Sequence, residues 1–273
     1  MDVLRSEIFC NFVAEVLNNK DYMNSDLIIK ITKYVESCIG DFHTARIAKL
    51  KSLDLKKLLL RKNPYMYKAK NILTAGEMVE NLAAAYMASA EESIFGNWME
   101  GLAIFVSQSV YNGYKSSATG VDLEFDKEGI HYFVSIKSGP SWCNSSSLKK
   151  LKLDFTQAVR TFNTSRRSVP TRCIEGCCYG NENRTYDDST HEKVCGEKFW
   201  HLISNEPTLY TDIIEPLGYK AKEKNDAYIL EYAQMINKFT GEFIQEYCSA
   251  DGRIDWEKIV KLNAAIKEPV KKQ

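Results

Sequence analysis

The chain has 273 residues, 44% hydrophobic and 26% charged, enough for one large α/β domain or for a catalytic domain with a helical appendage. Its 36 basic and 36 acidic side chains balance, with a pI near 6.9, which excludes nonspecific nucleic-acid binding through bulk charge but leaves room for basic groups gathered locally in a cleft. No run approaches the roughly 18 apolar residues of a membrane span, and Met1-Asp2-Val3-Leu4-Arg5-Ser6-Glu7 lacks the basic start and apolar stretch of a signal peptide, so a cytoplasmic protein with no membrane association is expected.

Residues 1–62 read as a helical, charged N-terminal region, with Leu53-Asp54-Leu55-Lys56-Lys57-Leu58-Leu59-Leu60 as a short amphipathic piece. The Asn63-Pro64 step breaks that helix, because the residue before proline is pushed out of the α region. Thr74 can cap the next helix, and Glu77 three residues on completes a capping box. That helix is predicted to run to about Ser89, with a separate amphipathic helix over 94–106. Two strands follow, then a polar loop over 139–147, with Ser147 placed to cap a helix from Leu148 to about Asn163. A Ser, Thr and Arg-rich loop leads to a third strand, Thr171 to Tyr179, and 180–194 reads as a polar loop. Helices resume at about Glu197, Thr208, Lys222 and Ile254, with 221–273 a helical C-terminal region for dimerisation or packing. Strands alternating with helices predict an α/β fold, a mixed central β-sheet flanked by helices, with helical N- and C-terminal parts.

The two strands carry the most informative chemistry. Gly120-Val121-Asp122-Leu123-Glu124-Phe125 and His131-Tyr132-Phe133-Val134-Ser135-Ile136-Lys137-Ser138-Gly139 flank a turn, Asp126-Lys127-Glu128-Gly129, that suits a hairpin. Residues two apart on a strand share a face, so Asp122 and Glu124 point one way, Ser135 and Lys137 point one way, and Val134 and Ile136 face the core. A carboxylate beside a lysine at a sheet rim suits phosphodiester hydrolysis: the acid can hold Mg²⁺ against the phosphate, and the lysine adds positive charge and orients or deprotonates water. An ordinary amphipathic hairpin with a charged, solvated face carries the same residue types.

The pair resembles the core of a PD-(D/E)XK nuclease site, with Ser135 in the slot of the second acid. From Asn63 to about Lys261 the chain resembles type II restriction endonucleases, in particular a group that reads GGNCC-type pseudopalindromes. The blocks are Asn63-Pro64-Tyr65 with Ala69-Lys70-Asn71, Ser93-Ile94-Phe95-Gly96 with Glu100-Gly101-Leu102, Gly120-Val121-Asp122, and Ser135-Ile136-Lys137-Ser138-Gly139-Pro140. Further on come Trp142 with Asn144-Ser145-Ser146, Tyr179-Gly180-Asn181, Gly196 with Phe199-Trp200, and Asp251-Gly252 with Trp256. The resemblance implies a restriction-endonuclease-like catalytic core over 63–220. It also implies Mg²⁺ as cofactor, Asp122 as metal ligand, Lys137 as the motif lysine, and double-stranded DNA as substrate of a homodimer. A cognate DNA methyltransferase is expected in the same system, not as a subunit. A repair or nicking nuclease on this fold, or a DNA-binding or assembly protein inactivated by Ser135, would share the same blocks.

Three carboxylates could replace the second acid. They rank as Glu100, which the resemblance implies faces the metal from its helix, then Asp154 on the helix after the lysine strand, then Glu124 beside Asp122. DNA contacts are expected from Asn144, Ser145 and Ser146 in the polar loop and from Lys149, Lys150 and Lys152 at the following helix start, where backbone N–H groups favour anions. Arg166, Arg167 and Arg172 are candidate readers of guanine O6 and N7. Trp142, Trp200, Tyr210 and Trp256 are more simply packing residues. Cys173, Cys177, Cys178 and Cys195 with His191 lack any C-x₂-C pair, so the eight cysteines read as reduced, mostly buried thiols.

Overall fold

The computed structural model describes residues 2–164, 169–186 and 190–266, with side chains from residue 25 onward. In chain order the elements are α1 (Asp2–Lys51), α2 (Leu55–Arg61), α3 (Pro64–Ala69), α4 (Ala75–Tyr111), β1 (Tyr114–Lys115), β2 (Leu123–Lys127) and β3 (Ile130–Lys137). They continue with α5 (Ser145–Asn163), β4 (Thr171–Cys177), β5 (Arg184–Thr185), β6 (Glu192–Cys195), α6 (Glu197–Ser204), α7 (Leu209–Asp212), α8 (Ile214–Leu217), α9 (Ala221–Tyr247) and α10 (Trp256–Ala264). The chain divides into two compact units, Met1–Ile39 with Phe95–Tyr219 and Gly40–Ile94 with Lys220–Gln273.

The first unit is built on one mixed sheet of order β1-β2-β3-β4-β6-β5, flanked by helices as the alternating pattern predicts. β2 and β3 form the expected antiparallel hairpin, turning through Glu128 (φ 55°) and Gly129 (φ 77°). Two successive positive φ angles belong to the tight turn whose twist matches that of paired strands. β3 then pairs in parallel with β4, and β4 in parallel with β6. One sheet face packs Leu123, Phe125, Tyr132, Val134, Ile136 and Ile174 against Ile31 and Val35 of α1, Met99, Leu102, Ala103 and Val106 of α4, and Phe199, Trp200 and Ile203 of α6. The α4 set recurs at three- and four-residue spacing, one stripe of a helix. The other face packs Phe133 and Cys173 under Leu151, Phe155 and Ala158 of α5.

The second unit is helical. Leu55, Leu58 and Leu59 of α2, Tyr67 of α3, Met78, Val79 and Leu82 of α4, Phe239, Phe243 and Tyr247 of α9 and Ile259 of α10 share one core. Asp54 caps α2 by accepting from Lys57 N (2.9 Å), and Asn63 caps α3 with Pro64 in its first turn. The Arg46 guanidinium pairs with Glu91 and lies 3.4 Å from the Tyr228 ring centroid.

Three local expectations differ. The break near Ser89 is absent: α4 is one helix of 37 residues. Thr74 does accept from Glu77 N (3.2 Å), but 85–95 contains no Pro or Gly, and Ser93 Oγ bonds to Ser89 O (3.0 Å) within the turn, which lets a serine sit in a helix interior. Asn144, not Ser147, caps α5, accepting from Ser147 N at 3.0 Å. The segment 180–194 contains β5 and most of β6, whose short, charged sequences carry little strand signal; β6 is fixed by pairing to β4, and β5 by pairing to β6.

Candidate active site

The hairpin register puts Leu123 opposite Val134, so Asp122, one residue before β2, stands opposite Ser135. Asp122 N donates to Val134 O (2.8 Å), continuing the ladder. Asp122 Oδ2 accepts from Ile136 N (2.6 Å) and from Ser135 Oγ (3.3 Å), and Lys137 Nζ lies 3.8 Å from it. All of these contacts are made by Oδ2; Oδ1 carries none of them. The Asp122 and Lys137 side chains are 25% and 22% exposed, within reach of a solvent-borne substrate, whereas Ser135 is wholly buried. The aspartate, serine and lysine singled out in the sequence are therefore one contiguous constellation.

The three alternative carboxylates occupy different settings. Glu100 is half-buried on α4 and pairs with Lys115 Nζ at 3.3 Å. One turn earlier Gly96 packs against Ser138, the residue after Lys137, so α4 passes the lysine end of β3. Glu100 also acts on Cys178, whose thiol is pushed up to about 12 first by burial and then by the glutamate charge. Glu124 is buried and accepts from Tyr114 Oη (3.0 Å) and Ser116 Oγ, with His131 Nε2 at 3.1 Å. Burial would raise its pKa, but the hydrogen bonds from His131, Ser116 and Tyr114 prevail and hold it below the ordinary carboxylate value. Asp154 lies against Gly120, where φ is 75° and any Cβ would run into the carboxylate. It shares with Glu124 an open cavity of about 450 Å³ under α5. Among the described residues, no three His, Cys, Asp or Glu side chains gather as a ready-made metal cluster.

A fourth carboxylate was not singled out in the sequence. Glu175 stands directly across from Ser135 on β4, on the Asp122 and Lys137 side of the sheet, and is 1% exposed. Its Oε1 accepts from Trp142 Nε1 (2.9 Å) and lies 3.6 Å from Lys193 Nζ. Its Oε2 accepts from Tyr186 Oη (3.0 Å) and lies 3.3 Å from His191 Nε2. Burial would raise the Glu175 pKa, but hydrogen bonds from His191, Trp142 and Tyr186 and the Lys193 charge outweigh it and hold the carboxyl below its ordinary value. The available signal was a lone acid inside an apolar strand, Cys173-Ile174-Glu175-Gly176-Cys177.

The loop after Lys137 leads into α5. Trp142 covers Lys137, with the ring centroid 4.9 Å from Nζ. Ser145 and Ser146 are exposed in the first turn of α5, and Asn144 is exposed with its carbonyl used in the cap. Lys149 and Lys150 are exposed one turn on, and Lys152 is half-buried with Nζ 5.0 Å from the Tyr186 ring. Arg172 is not brought to this end of the sheet. It pairs with Tyr132, five residues before Lys137 on β3, roughly 16 Å away along a strand, and its guanidinium is engaged by both oxygens of Glu192. Arg166 and Arg167 lie outside the described residues. Cys173, Cys177, Cys178 and Cys195 are buried and unpaired, Cys38 and Cys248 half-buried, and Cys143 exposed.

The family model of the type II restriction endonuclease EcoO109I matches residues 29–225, well over half of the chain. The chain belongs to this family. No curated protein sequence matches it. Membership makes the protein a type II site-specific deoxyribonuclease, and the family acts on double-stranded DNA. Such enzymes are generally dependent on a divalent metal. The residues present fit such an ion: Asp122 offers a partly exposed carboxylate with Oδ1 outside the contacts above, an oxygen donor of the kind Mg²⁺ takes together with water and phosphate. Among the described residues, no helix is long and apolar enough to cross a membrane.

Proposed function

We propose that this restriction endonuclease is a Mg²⁺-dependent, cytoplasmic homodimer that cuts both strands of a palindromic or pseudopalindromic duplex site through Asp122 and Lys137. The observation that carries the reading is the 3.8 Å approach of Lys137 Nζ to Asp122 Oδ2 at the rim of the β2–β3 hairpin. Asp122 and Glu100 would hold the ion, with Asp154 and Glu124 ranked behind Glu100. Bound there, Mg²⁺ supplies a Lewis acid for the charge that builds on the scissile phosphate. Ser135 Oγ and Ile136 N–H fix the Asp122 carboxylate by donating to Oδ2. Lys137 Nζ, as an ammonium, donates to a phosphate oxygen and orients the attacking water, whose proton passes to solvent.

Asn144, Ser145, Ser146, Lys149, Lys150 and Lys152 are proposed to meet the DNA, since the loop and first turns of α5 follow directly from the lysine strand. Arg166 and Arg167 remain proposed base readers, and Arg172 would first have to leave Glu192. A two-fold protein matches a two-fold site, and a cognate methyltransferase would protect the host's own copies. The test is digestion of a sequenced plasmid with Mg²⁺ or with a chelator, the ends mapped and the protein's mass in solution measured. Defined double-strand ends at one pseudopalindrome, a dimer mass and no cutting in chelator are expected. Nicks alone would favour a nicking nuclease, and binding with no cutting in any divalent ion would favour a catalytically inactive DNA-binding protein.

A further inference from the structure

The Glu175 cluster lies beneath the active lysine and has no part in the chemistry above. Its carboxylate is buried, yet it meets four polar groups from four positions in the chain: Trp142, Tyr186, His191 and Lys193. A carboxylate has about four lone-pair sites, so these partners fill it and leave little capacity for a metal ion. Arg184 extends the set, donating to Tyr186 Oη at 2.8 Å. A buried, fully engaged carboxylate is costly to assemble and costly to break, and it makes a stiff anchor.

What it anchors is the segment that follows Lys137. Trp142 is tied to Glu175 by its indole N–H, and its ring lies over the Lys137 ammonium. Lys193 holds the same segment at a second point, donating to Pro140 O at 2.8 Å. The exposed Tyr179 ring end lies over Gly139, and a Cβ at Gly180 would stand 2.8 Å from Pro140 Cγ. The loop between β3 and α5 is thus held at Pro140 by Lys193 of β6 and at Trp142 by Glu175 of β4. The aromatic face over the ammonium and the carboxylate beside it together fix where Nζ stands.

We propose that Glu175 is a positioning residue for Lys137: by fixing Trp142 over the ammonium it holds Nζ against Asp122. This rests on the reading of Lys137 as a catalytic residue. Misplacing a reacting group by about 1 Å can cost on the order of 100-fold in rate without weakening substrate binding.

The test uses the full-length enzyme and a plasmid whose cut site has been mapped with the wild type. Trp142→Phe keeps an aromatic face but removes the N–H that reaches Glu175. Glu175→Gln keeps the shape and removes the charge, and Lys137→Ala serves as reference. Single-turnover cleavage is measured at saturating enzyme with Mg²⁺. Affinity for a fragment carrying the site is measured without divalent ions, alongside melting temperature. Trp142→Phe is expected to cut at least ten-fold more slowly and Glu175→Gln about 100-fold more slowly, with fragment affinity within about three-fold of wild type. A purely structural role would instead lower melting temperature and affinity together with the rate. Should Glu175→Gln fail to fold, Trp142→Phe alone decides, since it leaves the buried carboxylate in place. If both variants cut at wild-type rates while Lys137→Ala is dead, the positioning role is wrong and the catalytic reading stands. If Lys137→Ala cuts normally, the catalytic reading itself fails. Loss in Glu175→Gln with Trp142→Phe unchanged would show that Glu175 acts by a route other than Trp142, and would also overturn the proposal.

Discussion

Lys137→Ala should remove cleavage while leaving the fold intact. Two effects set the size of the loss. A fixed positive group aimed at developing charge is worth about 10²–10³-fold, and holding the attacking water in place adds to that. Lys137 is in place for both, 3.8 Å from Asp122 Oδ2 at a partly exposed rim. The loss should therefore be at least about 10³-fold, roughly 4 kcal/mol in the barrier. The fold should hold because the partner left behind is still satisfied: Asp122 keeps the Ile136 N–H at 2.6 Å and the Ser135 hydroxyl. Lys137→Arg should rescue little, since a planar guanidinium is bulkier, presents its donors in a fixed fork rather than at one point, and must fit under the Trp142 ring. The assay is single-turnover plasmid cleavage with Mg²⁺, run beside thermal melting. A folded Lys137→Ala protein that cuts within three-fold of wild type would refute the reasoning.

Among the candidate second acids, Glu100→Gln should slow cleavage at least about 100-fold, and Asp154→Asn and Glu124→Gln should cost far less in rate at a temperature where all are folded; a dead Asp154→Asn enzyme would reverse that order. Glu124→Gln should instead lower the melting temperature, because it loosens a buried cluster with Tyr114, Ser116 and His131. His131 should give the fold a pH dependence. Burial alone would lower its pKa, but hydrogen bonds and charge from Glu124 and Asp126 outweigh that and raise it above the ordinary 6.5, while Phe162 of α5 stacks on the ring. A raised folded pKa gives stability that is full below the unfolded value and lost as pH rises through the folded value. The stability advantage of wild type over His131→Asn should thus be largest below about pH 6.5 and shrink above it, as chemical denaturation across pH would show. An advantage that grows with pH would contradict this.

The central pair was legible because it needs only local information. Period-two alternation separates Ser135 and Lys137 from Val134 and Ile136, and the Glu128-Gly129 turn fixes the hairpin register that brings Asp122 opposite Ser135. The Glu175 shell was not legible, because the parallel β3–β4 pairing joins segments about forty residues apart and no turn sets its register. Helix ends were harder than helix faces. The stripe Met99, Leu102, Ala103, Val106 follows from spacing, whereas Asn144 and Ser147 are both suitable caps by residue type, and the fold uses Asn144. β6 was missed because Glu192-Lys193-Val194-Cys195 is short and charged; it becomes a strand by pairing with β4, and Lys193 is buried there against Glu175 and Pro140 O.

The most direct test of the account is Asp122→Ala measured beside wild type on the same mapped plasmid with Mg²⁺. Wild type should give one set of defined ends at a pseudopalindromic site. Asp122→Ala should leave the plasmid intact while binding the site-bearing fragment as tightly as wild type or more so, since a carboxylate that repels phosphate has gone. Cleavage by Asp122→Ala near the wild-type rate would contradict the assignment of the active site to the β2–β3 hairpin.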